Sequence, residues 1–254
     1  MSNYSDITLI PNYFDGVSRS TLDTSTEFLG WKFKLPVVPA NMSCVIDEKI
    51  AFELSQNDYF YIMHRFTQRG NLALLKQMNN ENWKLKSISV GVKEDDKKFI
   101  ADASSADLKV DFITIDIAHG HSVLMKEMIA FIRVMYPDVK IIAGNVCTNF
   151  GAWDVYSWGA DCVKVGIAQG GACSTFGKTG FGLGMVETIQ NIYYNKEKKE
   201  AQFPIIIDGG VRQNGDFAKA IVLALQAMKG VMPETDFKYT AQPVMIMAGS
   251  LFAS

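Results

Sequence analysis

The chain has 254 residues, 48% of them hydrophobic, with 25 basic and 27 acidic side chains and a formal net charge of −2. That is enough apolar surface for a substantial core, and the balanced charge offers none of the broad positive field that nucleic acid or an anionic membrane surface would select. Residues 1–6 lack a basic start or an apolar leader, and no run of about 18 or more apolar residues follows. The expectation is therefore a cytoplasmic protein with small-molecule partners, without nucleic acid or membrane.

Cysteine usage agrees with that compartment. Cys44, Cys147, Cys162 and Cys173 lack CxxC spacing and read as free thiols in a reducing environment. The first three adjoin apolar neighbours and are expected to be small packing residues. The 3 histidines are too few and too badly spaced for a zinc site.

In chain order, short β-branched runs alternate with stretches of helical periodicity. An extended run at 35–39 precedes a helix over 47–56, a run at 59–63 precedes one over 70–78, and a run at 87–92 precedes one over 95–104. Further along, 112–117 leads to 122–135, 139–143 to 150–158, 162–167 to 185–199, and 204–207 to 216–228, with a last run at 244–247. The helix over 122–135 is representative: Leu124, Met128, Ile129, Phe131, Ile132 and Met135 form an apolar face, and Pro137 ends it. Residues 229–243 read as an irregular surface excursion.

Strands as continuously apolar as Ile205-Ile206-Ile207 must be covered on both faces. Repeated βα units of this number predict an α/β fold, a (β/α)8 TIM barrel in a single domain over 1–254. Only 248–254 follow the last run, so the expected barrel lacks its last outer helix.

Polar and glycine-rich residues recur after the strand runs: Asn41, His64-Arg65, 116–121, Gly144-Asn145, 166–175, Asp208-Gly209-Gly210 and Gly249-Ser250. In a barrel of this kind that rim is where catalysis is built. Cys173 stands in Val165-Gly166-Ile167-Ala168-Gln169-Gly170-Gly171-Ala172-Cys173-Ser174-Thr175, where small residues clear space for a ligand to approach the thiol. The competing reading is a small residue in a plain loop. Asp208-Gly209-Gly210 is equally a turn, Asp116 equally a cap for the next helix, and His119 and His121 equally hydrogen-bonded loop residues. Arg65 fits either a phosphate or a rim carboxylate.

Taken together these motifs resemble the IMP dehydrogenase/GMP reductase family, on its reductase branch. The resemblance runs through Leu35-Pro36-Val37-Val38-Pro39-Ala40-Asn41-Met42, Tyr61-Ile62-Met63-His64-Arg65-Phe66, Ile113-Thr114-Ile115-Asp116-Ile117-Ala118-His119-Gly120-His121, Ala143-Gly144-Asn145-Val146, the Cys173 loop and Asp208-Gly209-Gly210. No regulatory domain interrupts the chain after Phe66, where the dehydrogenase branch usually carries one.

The resemblance implies reductive deamination of GMP to IMP and ammonia with NADPH. Cys173 would add to C2 of the purine and form a thioimidate, and Thr175 would help move protons as ammonia departs. It further implies that Asp208 holds ribose hydroxyls, that Gly210, Gly249, Ser250 and Gly171 cradle the phosphate, that Asp116 stands near the nicotinamide ribose, and that Ala118, His119 and Gly120 join it in binding the cofactor. Carbonyls of Ala168, Gly170 and Cys173 stand where members hold a monovalent cation, K+. A homo-oligomer, a tetramer, is implied, or else a completing partner chain. By the same resemblance, a glutamate that assists the threonine and a C-terminal flap over the active site are expected to lie beyond this sequence. Two alternatives stay open: an IMP dehydrogenase, and a catalytically impaired purine-nucleotide-binding protein or split-enzyme fragment.

Overall fold

A computed structural model describes residues 2–11, 13, 16–67, 70–168, 175–193, 203–229, 244–249 and 251–252. Its centre is a 7-stranded sheet built from β3 (Val37–Pro39), β4 (Ser87–Val90), β5 (Phe112–Asp116), β6 (Lys140–Val146), β7 (Cys162–Val165), β8 (Ile205–Asp208) and β9 (Val244–Ala248), in the order β3-β9-β8-β7-β6-β5-β4. All six pairings are parallel. β4, β7 and β9 are buried at every residue, which explains why these runs read as continuous apolar strands without alternation.

Between strands lie α1 (Glu48–Gln56), α2 (Asn71–Asn80), α3 (Glu94–Ser105), α4 (Val123–Met135), α5 (Asn149–Ser157), α6 (Thr175–Thr179), α7 (Met185–Asn191) and α8 (Asn214–Lys229). Short polar side chains start three of them. Asp47 accepts a hydrogen bond from the Ile50 amide, Ser122 from Met125 and Thr148 from Gly151, satisfying amides that a helix N-terminus leaves orphaned. Alternating strand and helix around a parallel sheet that turns back toward its own first strand is the TIM-barrel architecture expected.

The structure differs from expectation in several places. The run at 59–63 forms no ladder, although it bridges the edges of the sheet. Lys34 donates to the Asp58 carbonyl at 3.0 Å just ahead of β3, and Met63 donates to the Ser87 carbonyl of β4 at 3.2 Å. Side chains replace the missing ladder: the Ser89 hydroxyl donates to the Met63 carbonyl at 2.6 Å and the Tyr61 hydroxyl to the Leu85 carbonyl at 2.7 Å. On α4 the buried face is Met125, Met128, Ile129 and Ile132, while Leu124 is 50% exposed. Cys44 is exposed in the turn after β3, with Val45 and Ile46 buried in its stead.

Among the elements not anticipated are α6 and a hairpin of β1 (Thr26–Phe28) and β2 (Trp31–Phe33). Phe28 and Phe33 of the hairpin pack on Phe60 with ring centroids 5.1 and 5.2 Å away, and Phe60 meets Phe112 at the start of β5 at 5.0 Å. This aromatic plug closes the end of the barrel where the strands begin, so the opposite end is the one left open. Among the described residues no helix is long and apolar enough to cross a membrane.

Candidate active site

At the open end, one buried ammonium organises the site. Lys164 interrupts the apolar strand β7, and its side chain is 3% exposed. Its Nζ lies 3.0 Å from Asp116 Oδ1 at the end of β5 and 2.5 Å from Asp208 Oδ2 at the end of β8, with Met247 Sδ of β9 at 3.9 Å. Burying a lysine is unfavourable unless its charge is neutralised and its donors are used, and here two carboxylates do both.

Amides complete the array. Asn145 Nδ2 donates to Asp208 Oδ2 at 2.8 Å and to the Gly166 carbonyl at 2.7 Å, and Asn41 Nδ2 donates to Asp116 Oδ2 at 3.0 Å. Burial alone would push the Asp116 carboxyl up. The Lys164 charge and hydrogen bond, then the Asn41 bond and the Arg65 charge, outweigh it and hold Asp116 below the usual carboxylate range. Burial would likewise push the Lys164 ammonium down, and the facing carboxylates of Asp116 and Asp208 instead hold it above the usual lysine range.

Glycines permit the convergence. A Cβ on Gly144 would stand 2.3 Å from the Lys164 carbonyl oxygen, and one on Gly166 would stand 2.2 Å from the Asp208 carbonyl oxygen. Gly166 also has φ +127, a backbone that side chains rarely adopt. The strand β6 therefore runs on through Gly144 and Asn145, with a register shift against β7 between Gly144 and Val146, beyond the expected end at 143. The Gly144–Asn145 peptide is cis.

A cavity of about 270 Å3 opens over these groups, lined among others by Asn41, Arg65, Asp116, Ala118, Asn145, Lys164, Ala168 and Asp208. Asn145 Oδ1 is buried at its wall and, among the described residues, has no hydrogen-bond partner, an acceptor suited to an N–H donor on a ligand. The Arg65 guanidinium lies 4.5 Å from the Phe66 ring centroid, and its Nε is buried and, among the described residues, has no hydrogen-bond partner.

Of the residues singled out from sequence, the structure brings Asp116, Asp208, Ala118 and Ala168 to this one cavity. Asp116 is not a helix cap, since Ser122 fills that role for α4. Ala118 and His119 are exposed on the loop after β5, and Gly120 is buried there, its amide donating to the Asn145 carbonyl at 2.7 Å. His121 turns away to Asp154 on α5 at 2.8 Å and stacks on Trp158 at 5.9 Å, so it is tied down as a loop residue. Gly209 and Gly210 turn the chain at φ +105 and +81, and the Gly210 Cα sits where a Cβ would be 3.3 Å from the Tyr4 ring. Gly249 ends β9 next to Ala40.

Ala168 adopts φ +73, a left-handed conformation unusual for alanine. Thr175 opens α6. Cys173, Gly170, Gly171 and Ser250 lie outside the described residues, as do the last residues of the helix expected over 185–199. Among the described residues no group of three His, Cys, Asp or Glu side chains could hold a metal ion.

Sequence reasoning passed over Lys164. The available signal was a lysine inside the otherwise apolar run Cys162-Val163-Lys164-Val165, with aspartates ending two other strands.

Comparison with known proteins is consistent along the whole chain. Residues 2–235 match the family model described as IMP dehydrogenase / GMP reductase domain. The chain is 44% identical over 252 residues to a protein named GMP reductase from Staphylococcus carnosus (strain TM300), covering 99% of this chain and 71% of that one. A GMP reductase from Staphylococcus aureus (strain Newman) matches at the same identity and coverage. Among solved structures, an inosine 5′-monophosphate dehydrogenase from Legionella pneumophila superposes with a TM-score of 0.75 at 29% identity, covering 99% of this chain and 69% of that one.

Proposed function

The chain belongs to the IMP dehydrogenase/GMP reductase family, and we propose that it is an oxidoreductase that converts GMP to IMP and ammonia at the expense of NADPH, in purine nucleotide salvage. The observation that carries this reading is the pair of carboxylates, Asp208 and Asp116, held on either side of Lys164 at one cavity. Two nucleotides must meet for the reaction, each with a ribose whose hydroxyls need a fixed acceptor. The relatives named GMP reductase supply the direction of the chemistry.

Asp208 takes the GMP ribose. Its Oδ2 is occupied by Lys164 and Asn145, and Oδ1 is the oxygen turned to substrate. The amides of Gly210, Gly249, Ser250 and Gly171 hold the phosphate, a role for backbone N–H groups with room for close approach. The Cys173 thiolate adds to purine C2, and the 2-amino group leaves as ammonia with a proton passed by the Thr175 hydroxyl, giving a thioimidate. When bound, NADPH would supply a hydride to purine C2 of the thioimidate; the C–S bond would then break, releasing IMP and returning Cys173 as the thiolate.

The cofactor side of the cavity fits a nicotinamide nucleotide. Asn145 Oδ1 awaits a donor such as a carboxamide N–H, Asp116 presents a charged carboxylate for ribose hydroxyls, and Ala118 lines the cavity, with His119 and Gly120 next to it in the loop after β5. The carbonyls of Ala168, Gly170 and Cys173 would be the groups to hold a K+ ion, which would brace the loop that carries the thiol. The reading extends to a cytoplasmic homo-oligomer, a tetramer, folded as a single domain.

Incubation of the protein with GMP and NADPH should oxidise NADPH in step with IMP appearing on anion-exchange chromatography, and Cys173→Ala should abolish both. NADH formation from IMP and NAD with no reaction of GMP would instead make it a dehydrogenase, the activity printed for the structural relative. GMP binding by calorimetry without either turnover would reduce it to a nucleotide-binding protein.

A further inference from the structure

We propose that Lys164 is a positioning residue that couples the two nucleotide subsites, one ammonium clamping Asp208 and Asp116 so that each carboxylate is aimed correctly only while the lysine holds both. The inference rests on the functional reading of those two aspartates. Its geometric basis is independent of that reading: Nζ carries three hydrogens, and among the described residues it meets Asp116 Oδ1 at 3.0 Å and Asp208 Oδ2 at 2.5 Å, with Met247 Sδ further off at 3.9 Å. Its two short contacts are both to carboxylates, so the lysine acts through Asp116 and Asp208.

The clamp is also held from behind. Gly144 and Gly166 let the main chains of β6, β7 and β8 approach too closely for any side chain to intervene, which fixes the lysine stem and the Asp208 backbone together. Among the described residues the charged groups facing the ammonium are Asp116 from β5 and Asp208 from β8, and these are held in turn by Asn145 from β6 on Asp208 and by Asn41 and the Arg65 charge on Asp116. Asp116 and Asp208 stand on strands separated by β6 and β7, with no direct bond between them. A ribose that orders one carboxylate therefore orders the ammonium and, through it, the other carboxylate. Such a linkage is reciprocal by thermodynamic necessity, and the second nucleotide binds more tightly than the first.

The test uses IMP with NADPH, a pair that cannot turn over because IMP lacks the 2-amino group and the cofactor is already reduced. Calorimetry of IMP alone and in saturating NADPH should show affinity rising at least about 5-fold in the parent. In Lys164→Met that ratio should fall to about 1 and both separate affinities should weaken, while Lys164→Arg, which still bridges two carboxylates, should keep part of it. Asp116→Asn serves where Lys164→Met does not fold: removing one arm of the clamp should also erase the coupling. Coupling that survives in either folded variant overturns the proposal, as does its absence from a parent that binds both nucleotides. If the parent binds neither nucleotide the functional reading fails, and ligand-free carboxyl 13C spectra then decide the clamp. Asp116 should titrate at higher pH in Lys164→Met than in the parent, and an unmoved titration overturns it.

Discussion

Gly144 and Gly166 act where the backbones of neighbouring strands touch, and their missing side chains let Lys164 reach two aspartates at once. Gly166→Ala should therefore be among the most damaging single changes near the rim. Its Cβ would collide with the Asp208 carbonyl, and its φ of +127 is strained for alanine. We expect a loss on the order of 1–3 kcal/mol or more in urea unfolding, together with weaker GMP binding because Asp208 must shift. Acid stability reports on the same array. Asp116 is held below its ordinary value, so its charge stabilises the fold above the unfolded carboxylate pKa of about 4 and that contribution disappears as pH falls through the lower folded value. Urea midpoints of the parent and Asp116→Asn should differ most near neutrality, the parent being the more stable, and converge in acid. A gap independent of pH would mean that the carboxylate is not held by charge.

At the level of elements, α4 tests how the outer helices are attached. Ile129 is fully buried on its inner face and Leu124 is 50% exposed. Ile129→Ala should destabilise by about 2–5 kcal/mol, whereas Leu124→Ala should stay within about 0.5 kcal/mol, as read by thermal or urea melts. Equal effects would mean that the helix packs by another face. The same helix shows what was readable beforehand. The helix expected over 122–135 with Pro137 ending it runs Val123–Met135 with Ser122 as its cap, so its ends were legible, because capping and termination are local chemistry. Assigning Leu124 to the buried face failed, since periodicity alone fixes a stripe only to within a residue and Met125 fits the sheet instead. The run at 59–63 failed for a different reason: its β-branched, aromatic composition signals burial, and burial is what it has, but its partners bond it through side chains. Lys164 was hidden because its meaning depends on aspartates 48 and 44 positions away in the chain, a proximity that only closure of the sheet creates.

For the whole molecule, the parallel sheet, the aromatic plug at the strand starts and the polar cavity at the strand ends give the barrel one closed end and one working end. Phe60 joins the hairpin to the barrel, touching Phe28, Phe33 and Phe112. Phe60→Ala should cost about 3–5 kcal/mol while leaving the nucleotide affinities of the folded fraction unchanged, and a selective loss of binding without loss of stability would contradict this division of labour. The barrel itself was legible from alternating runs because its strands are buried on both faces, and the hairpin was not, because three-residue strands carry too little pattern. The central claim is covalent: a purine nucleotide joined to the chain through sulfur. Acid-quenching the protein with GMP in the absence of NADPH, followed by peptide mass spectrometry, should find the Cys173 peptide carrying GMP less ammonia, with none in Cys173→Ala. An unmodified Cys173 peptide under conditions where GMP is bound would contradict the account.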